Sequence, residues 1–314
     1  MEQVRTKLEQ YKNLLGYQNR PEFLEKYLQT PSLLRLKKVG YFCGMDYASK
    51  AIFNFPERIS RYDHSLTVSL ITWKLSQDQK MTLAGLFHDI ATPCFAHAID
   101  YMNKDYVKQE STEEKTEEIL RKDTYLAQCL KEDGIAIEDI INFKQYSLVD
   151  LERPKLCADR LDGIILNGLY WMQSLTMEEV ARIVEELTVY PNEQGVLEIG
   201  LATEETARLV VKINHEFDRY CHTKEDTFMM GFLGEITKQG IYQNVITYED
   251  LFVQNEDQVM EQLKQAPNAS LQQDIQLFEN ITIEQVPDIA MPEIKFRNLA
   301  PICNCQRWGE KEKL

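Results

Sequence analysis

Apolar residues recur every three or four positions along most of the chain, a spacing that predicts amphipathic α-helices. Within residues 61–75, His64 shares one face of such a helix with an apolar stripe, so we expect its side chain to point inward. A second helix is predicted to start near Asp78 and to stop before Pro93, because proline interrupts a helix. These two helices predict a packed core that contains a histidine.

A third helix is predicted from Arg153, because Pro154 suits the first turn of a helix. The periodic pattern carries it through Asp159 to about residue 172. Asp159 and Asp162 then lie about one turn apart on the same helix.

The remaining pattern predicts an all-α fold with a small addition of extended structure. Alternating residues around an Asn/Gly turn predict a small hairpin near residues 188–199. Residues 278–300 are rich in Ile, Val and Pro and predict minor extended segments at the C-terminal end. We expect a helical core over residues 1–240, with its functional site in 61–162, and a C-terminal appendage over 241–314 packed on that core.

Composition narrows the classes of function. The formal net charge of −15 over 314 residues argues against a nucleic acid polymer as partner, although a pocket can still be locally basic. The seven cysteines are irregularly spaced, which suits reduced thiols in a cytoplasmic protein. The start of the chain is charged, unlike a signal peptide, and no apolar run reaches the ~20 residues that cross a membrane. We therefore expect a cytoplasmic protein with no membrane partner.

Four residues carry the candidate chemistry: His64, the adjacent pair His88 and Asp89, and Asp159. Imidazole nitrogen together with carboxylate oxygen suits a divalent metal ion, which can activate water near neutral pH. Each residue also has an ordinary explanation, since a lone histidine on an apolar face is usually part of the core. Asp159 alone is equally consistent with a buried carboxylate paired with a neighbouring arginine.

The combination of these segments resembles the HD phosphohydrolase superfamily. The resemblance rests on segments that occur in the family's order and spacing: Arg61-Tyr62-Asp63-His64-Ser65-Leu66, Ala84-Gly85-Leu86-Phe87-His88-Asp89, Pro93 through Phe95 to His97, and Ala158-Asp159-Arg160-Leu161-Asp162. Within the superfamily the chain is most similar to the branch of deoxynucleoside triphosphate triphosphohydrolases, over roughly residues 33–222. The resemblance implies a mainly helical HD-domain fold.

By this resemblance, one divalent metal ion (Mn, Fe, Ni, Zn or Mg) is held by His64, His88, Asp89 and Asp159. The resemblance also gives Arg61 and Arg160 a phosphate-binding role, which is chemically reasonable because a guanidinium stabilises phosphoryl charge. For Arg61 the alternative is an ion pair with Asp63 or Glu57, and for Asp159 it is a pair with Arg160 or Arg61.

The chain departs from that branch at the catalytic positions. Thr92 and Gln109 stand where the triphosphohydrolases have histidines, and glutamine transfers no proton at neutral pH. Asp100 matches the carboxylate that orients the second of those histidines. His97 and Glu110 are therefore the candidate proton carriers, with His97 alternatively holding Asp89 or a water in place.

The sugar-reading positions differ as well. Gly163 replaces a tyrosine that stacks on deoxyribose, and Asn167 and Leu34 replace the residues that read the 3′-hydroxyl. We therefore expect a metal-dependent phosphohydrolase acting on a nucleotide or another small phosphate ester. The alternative is a degenerate HD domain that binds nucleotide and regulates without turnover. In either case we expect self-association into a homo-oligomer.

Overall fold

Helices form most of the described part of the protein. A computed structural model describes residues 6–109, 111 and 113–308. The α-helices in these ranges are α1 (Lys7–Leu14), α2 (Leu24–Tyr27), α3 (Pro31–Arg35), α4 (Arg61–Ser76), α5 (Gln79–Phe87), α6 (His97–Met102), α7 (Thr116–Lys122), α8 (Thr124–Asp133), α9 (Glu138–Ile141), α10 (Ala158–Leu166), α11 (Met177–Glu185), α12 (Glu204–Cys221), α13 (Lys224–Tyr242), α14 (Asp250–Val253), α15 (Glu256–Lys264) and α16 (Ala269–Asn280). A π-helical turn, Asn167–Trp171, follows α10 directly.

Helix α4 lies at the centre of the fold and confirms the first predicted helix. It begins with a capping box, in which the side chain of Ser60 and that of Asp63 each accept the other residue's backbone N–H. All residues from 64 to 72 are buried, because α5 and α10 pack on this helix from two sides. Gly85 permits the close contact with α5, since a Cβ there would lie 3.1 Å from Oγ1 of Thr72.

The second predicted helix is also confirmed, as α5, with Asp78 as its N-cap. The third begins later than predicted. Its first residue is Ala158, not Arg153, and residues 151–157 are not helical, with a turn and bend at 153–155. The reason is a set of tertiary partners: the N–H groups of Ala158 and Asp159 donate to the carbonyls of Leu148 and Val149. These bonds satisfy the backbone that a helical turn at Pro154 would otherwise have satisfied.

The protein contains one small sheet in its described part, and this sheet has more strands than the predicted hairpin. Strands β1 (Leu187–Pro191) and β2 (Leu197–Leu201) form the expected antiparallel pair. Two further strands, β3 (Ile302–Cys303) and β4 (Gln306–Arg307), extend it in the order β1-β2-β3-β4, with β3 parallel to β2. Arg307 holds β4 in place through ion pairs with Glu193 and the buried carboxylate of Glu198. The mainly all-α class is thus correct, with a four-stranded sheet added.

The segment of residues 287–301 has neither helix nor strand, whereas Phe278–Asn280 belong to α16. The extended prediction therefore holds only for the later part of 278–300. The division into a 1–240 core and a 241–314 appendage stays a prediction. No helix in the part of the chain that the structure describes combines the length and the apolar character needed to cross a membrane.

Candidate metal centre

Two imidazoles and two carboxylates meet where α4, α5 and α10 pack together. Nε2 of His64 lies 3.1 Å from Oδ1 of Asp159, and Nε2 of His88 lies 3.5 Å from the same oxygen. Oδ2 of Asp89 lies 3.8 Å from Nε2 of His64, and its Oδ1 lies 3.8 Å from Nε2 of His88. Neighbouring ligands of a divalent ion lie about 3–4 Å apart when each is ~2.1 Å from the ion. The spacing of His64, His88 and Asp89 therefore suits one ion, and Asp159 adjoins both imidazoles.

The orientation of His64 is fixed by a hydrogen-bonded chain that starts outside the motif. Nδ1 of His64 lies 2.7 Å from Asp162, and the Tyr11 hydroxyl of α1 donates to the other Asp162 oxygen at 2.7 Å. Asp162 is completely buried, so it holds the imidazole with Nδ1 protonated and Nε2 turned to the other ligands. Burial and the neighbouring charge of Asp162 raise the pKa of Tyr11, which keeps its hydroxyl a donor.

His88 is the clearest sign of a bound ion. Its Nδ1 lies 2.8 Å from the carbonyl of Gly85, one turn earlier, which fixes this nitrogen as the donor. Its Nε2 is buried and has no hydrogen-bond partner among the described residues. A buried polar atom without a partner is costly, so a cation is expected to satisfy it. The residues present therefore fit a divalent metal.

The electrostatics of the centre also favour a cation. Burial alone would lower the pKa of His64, but hydrogen bonds to Asp159 and Asp162 outweigh it and raise that pKa to about 10. Burial would raise the pKa of Asp159, but its contacts with His64 and His88 hold it well below the usual range. In the absence of metal, protons on the imidazoles balance the carboxylates, and a metal ion replaces them.

The centre opens into a cavity of about 240 Å³. The cavity has an imidazole and carboxylate end, an aromatic side and a cationic side. Its lining includes Tyr41, Arg61, His64, His88, Asp89, His97, Lys108, Gln109, Phe143, Arg153, Asp159, Gly163, Asn167, Trp171, Phe217, Lys295 and Arg297. A small molecule in this space would contact the candidate ligands and both walls.

The two predicted phosphate-binding arginines lie in different places. Arg61 lines the cavity and donates to Asp89 at 2.9 Å, so its partner is a candidate ligand rather than Asp63 or Glu57. Arg160 is not among the described residues that line the cavity. Its guanidinium donates instead to the carbonyls of Lys155 and Leu151. That position gives Arg160 a role in fixing the turn before α10.

The candidate proton carrier His97 lies on the cavity wall at the start of α6. Its Nδ1 is 2.8 Å from Asp100, and the other Asp100 oxygen accepts from the backbone and hydroxyl of Ser111. Asp100 therefore orients His97 rather than the imidazole that Gln109 replaces. Glu110, the other candidate, lies outside the described residues. Thr92 is buried and does not line the cavity in the described part of the chain.

The loop before His97 is held by a residue from the far end of the sequence. Glu256 of α15 is completely buried and accepts the N–H of Phe95 at 2.9 Å and that of Gly40 at 2.8 Å. Phe95 has a positive φ of 66°, so the tertiary contact compensates a strained backbone.

Sequence reasoning missed the cationic side of the cavity, formed by Arg153, Lys295 and Arg297. The last two lie more than a hundred residues beyond Asp162, in a segment without a recognisable motif. The one local signal is alternation, because Lys295 and Arg297 flank Phe296 and so lie on the same side of an extended chain.

A second acidic group adjoins the centre. Asp150, Cys157 and Asp159 bring ligand atoms close together. Arg160 donates to the Cys157 sulfur at 3.3 Å, so a cation already occupies this side. Asp159 adjoins both groups, since its Oδ1 also lies beside His64 and His88.

Comparison with known proteins agrees with this geometry. Residues 61–167 match the family model of the HD domain. The chain is 26% identical over 170 residues to the uncharacterized protein YdhJ of Bacillus subtilis, a match that covers 53% of this chain and 49% of YdhJ. It is also 26% identical over 136 residues to the metal-dependent phosphohydrolase cns2 of Cordyceps militaris, covering 43% of this chain and 38% of that protein. The matches span half or less of each relative's length.

A solved structure shows the same fold. The crystal structure of a hypothetical protein from Aquifex aeolicus superimposes with a TM-score of 0.57 at 20% identity, covering 82% of this chain and 71% of that one. None of these three proteins is described as a triphosphohydrolase, so the resemblance to that branch stays a prediction. The segment of residues 61–167 that matches the HD-domain model contains all four candidate ligands.

Proposed function

We propose that this protein is a metal-dependent phosphohydrolase acting on a nucleotide or another small phosphate ester. The observation that carries the proposal is the buried Nε2 of His88, which has no hydrogen-bond partner among the described residues and shares a cavity with His64, Asp89 and Asp159. A metal with a purely structural role would not need an open cavity beside it. The description of cns2 as a metal-dependent phosphohydrolase supports the same class.

At such a centre a divalent ion supplies Lewis-acid polarisation of phosphoryl oxygen and activation of water near neutral pH. Arg61 adds a fixed positive charge, because its hydrogen bond to Asp89 and the face of Tyr41, 5.2 Å away, hold the guanidinium in place. Its Nε is buried without a partner among the described residues. Arg61 is therefore placed to stabilise charge on the transferred phosphoryl group.

His97 is the residue that we propose for proton transfer to the leaving group. Asp100 engages Nδ1 of His97, which leaves Nε2 to donate to or accept from a group in the cavity. We assign His97 as the acid that protonates the leaving oxygen. Gln109 lines the same cavity but can only hydrogen-bond to substrate.

The aromatic side of the cavity supports a nucleotide as the ester. Trp171 and Phe217 lie against each other, with ring centroids 5.7 Å apart, and both line the cavity. Gly163 leaves additional space, since among the described residues the only heavy atom near a Cβ at this position is the Tyr41 hydroxyl, at 3.5 Å. A planar base is a suitable occupant of an aromatic wall of this kind.

The test is hydrolysis by metal-loaded protein of a panel of nucleoside mono-, di- and triphosphates and simple phosphate esters. Released phosphate, pyrophosphate and triphosphate are measured separately. We expect product from at least one substrate, no product from His88→Ala, and unchanged activity in Lys122→Ala, a control at an exposed residue outside the cavity lining.

The contrary result is also defined. A nucleotide that raises the melting temperature while no substrate yields product would exclude catalysis. Full activity in His88→Ala would show that a contaminant is responsible. A homo-oligomeric state and a cytoplasmic location stay predictions.

A further inference from the structure

The C-terminal strap, residues 294–300, contributes Lys295 and Arg297 to the wall of the cavity that contains the metal centre. The N–H of Lys295 donates to the carbonyl of Tyr106 at 3.0 Å, and that of Arg297 donates to Asp218 of α12 at 2.8 Å. The N–H of Ala300 donates to the carbonyl of Pro154 at 2.8 Å. The strap is therefore attached to three separate parts of the helical body.

These three hydrogen bonds are all donated by backbone N–H groups of the strap, so they do not involve its side chains. Arg153 contributes a side-chain bond from the opposite direction, to the carbonyl of Asn298 at 3.0 Å. Lys295 and Arg297 are both partly buried, and both line the cavity that contains the metal ligands. The strap thus fixes the backbone positions of two cations on the wall.

Within the described ranges, the three cations of this wall lack ion-pair partners. The side-chain nitrogens of these three residues have no carboxylate oxygen within 4.0 Å in the described part of the chain, whereas Arg61 is paired with Asp89. Their hydrogen bonds go to backbone carbonyls: the Arg297 guanidinium donates to that of Lys295 at 3.0 Å, and Nζ of Lys295 donates to that of Lys108 at 3.4 Å. The Arg297 guanidinium also lies over the Phe217 ring, 5.7 Å from its centroid. In a protein of net charge −15, cations grouped in a cavity in this way indicate an anionic ligand.

Burial and mutual repulsion make the positive charges of Arg153 and Lys295 unfavourable. Burial, followed by repulsion from Arg160 and Arg297, lowers the pKa of Arg153 to about 10. Burial and the neighbouring arginines likewise lower the pKa of Lys295, against the weaker opposite effect of Asp159. An anion bound between them would relieve this repulsion.

We propose that Arg153, Lys295 and Arg297 form a subsite for a second phosphate group of the substrate, separate from the phosphate that lies beside the metal ligands and Arg61. The inference rests on the proposed function, and it restricts the substrate to a phosphate ester that carries at least two phosphates. Lys295 and Arg297 lie outside the HD match of residues 61–167, so this specificity belongs to the chain's own C-terminal segment.

The test uses two probes that are not hydrolysed, methylenediphosphonate with two phosphoryl groups and methylphosphonate with one. Binding to the Mn²⁺-loaded full chain is measured by calorimetry for wild type and for the double variant Lys295→Gln/Arg297→Gln. We expect the affinity for methylenediphosphonate to fall about 10- to 100-fold in the double variant. The affinity for methylphosphonate should change little, because Arg61 and the metal centre are intact.

A matched control removes two cations elsewhere. Arg121→Gln/Lys122→Gln lies on exposed α7 and changes the net charge by the same amount, and we expect it to bind both probes as wild type does. Equal loss in both double variants would assign the effect to net charge and overturn the subsite. The strap's backbone bonds survive the substitutions, and an unchanged melting temperature verifies this.

The spacing of the two phosphates is determined by competition with methylenediphosphonate. Adenosine diphosphate carries two contiguous phosphates, and adenosine 3′,5′-bisphosphate carries two separated ones. Greater loss for one of them in the strap variant identifies contiguous or separated phosphates. Unchanged affinity for both contradicts the proposal.

Failure of the two proposals can be distinguished. Hydrolysis of some substrate together with equal affinities of wild type and strap variant overturns the subsite alone. Absence of hydrolysis together with weakened diphosphonate binding in the strap variant overturns the phosphohydrolase and leaves the anion site.

Discussion

Two groups of cavity residues differ in how their charged side chains are paired. We call the candidate ligands with Arg61 the metal end, and Arg153, Lys295 and Arg297 the cationic end. At the metal end, each charged or polar group is oriented by a partner, as Asp162 orients His64 and Asp89 pairs with Arg61. At the cationic end, the side chains of Arg153, Lys295 and Arg297 have no carboxylate partner within 4.0 Å among the described residues. The first end is preorganised for a small cation, and the second is held ready for an anion that arrives with the substrate.

The difference lies also in the secondary structure that carries the residues. Helices α4 and α10 carry His64 and Asp159, and the turn directly after α5 carries His88 and Asp89. A strap without helix or strand carries much of the cationic end, and its position depends on hydrogen bonds to distant segments. A change at one end should therefore leave the other intact, which can be tested.

The largest effect is expected from His88→Ala. Loss of an imidazole that points directly into the centre should weaken metal binding by more than ~100-fold, beyond the effect of changing an outer residue. Metal content after dialysis, measured by mass spectrometry, checks this, and the Lys295→Gln/Arg297→Gln variant should retain one ion per chain. Loss of metal from the strap variant would show that the two ends are not independent.

A smaller effect is expected from Asp162→Asn, which keeps the shape but removes the charge that orients His64. Metal affinity should fall about 10- to 100-fold. Tyr11→Phe is the matched comparison, because it removes only the outer bond of the same chain and should cost less than Asp162→Asn. Competition with a fluorescent chelator gives both affinities, and the reverse order would contradict the proposed path of orientation.

The smallest effect concerns Asp226, a buried carboxylate whose charge acts on Arg297 from α13. Burial raises its pKa to about 7, against the opposing effect of Arg297. A carboxyl group whose pKa is higher in the folded state than in the unfolded one stabilises below about pH 4, and this contribution is lost as pH rises through 7. Asp226→Asn should therefore increase the free energy of unfolding by ~1 kcal/mol at pH 8 and have no such benefit at pH 4.

Urea unfolding of wild type and Asp226→Asn across pH 4 to 8 checks this prediction. The difference between them should grow through the interval and then level off. If the difference in the free energy of unfolding does not change with pH, Asp226 stays ionised throughout, and the prediction is contradicted.

The sequence indicated His64, His88, Asp89 and Asp159 through their resemblance to the motifs of HD proteins, and the fold brings these distant positions close together. It did not predict that Arg160 turns away, since the carbonyls of Lys155 and Leu151 that bind it lie in a turn without a helical pattern. The later start of α10 has the same origin: contacts distant in sequence determined the local structure.

The cationic end was beyond prediction for a related reason. Lys295 and Arg297 reach the cavity only because Tyr106 and Asp218 bind their backbone, and neither contact leaves a periodic signal in the sequence. Alternation around Phe296 indicates a shared side of the strap but not what that side faces.

The Tyr11 hydroxyl, bonded to Asp162 at the metal end, has a consequence for protein engineering. Together with the strap, it means that the two flanks of the chain both supply groups to a centre whose recognisable segment starts at residue 61 and ends at 167. A chimera that grafts only that segment onto another scaffold would inherit the ligands without the group that steadies Asp162 or the wall that receives the anion. Transfer of the complete site requires both flanks to travel with it.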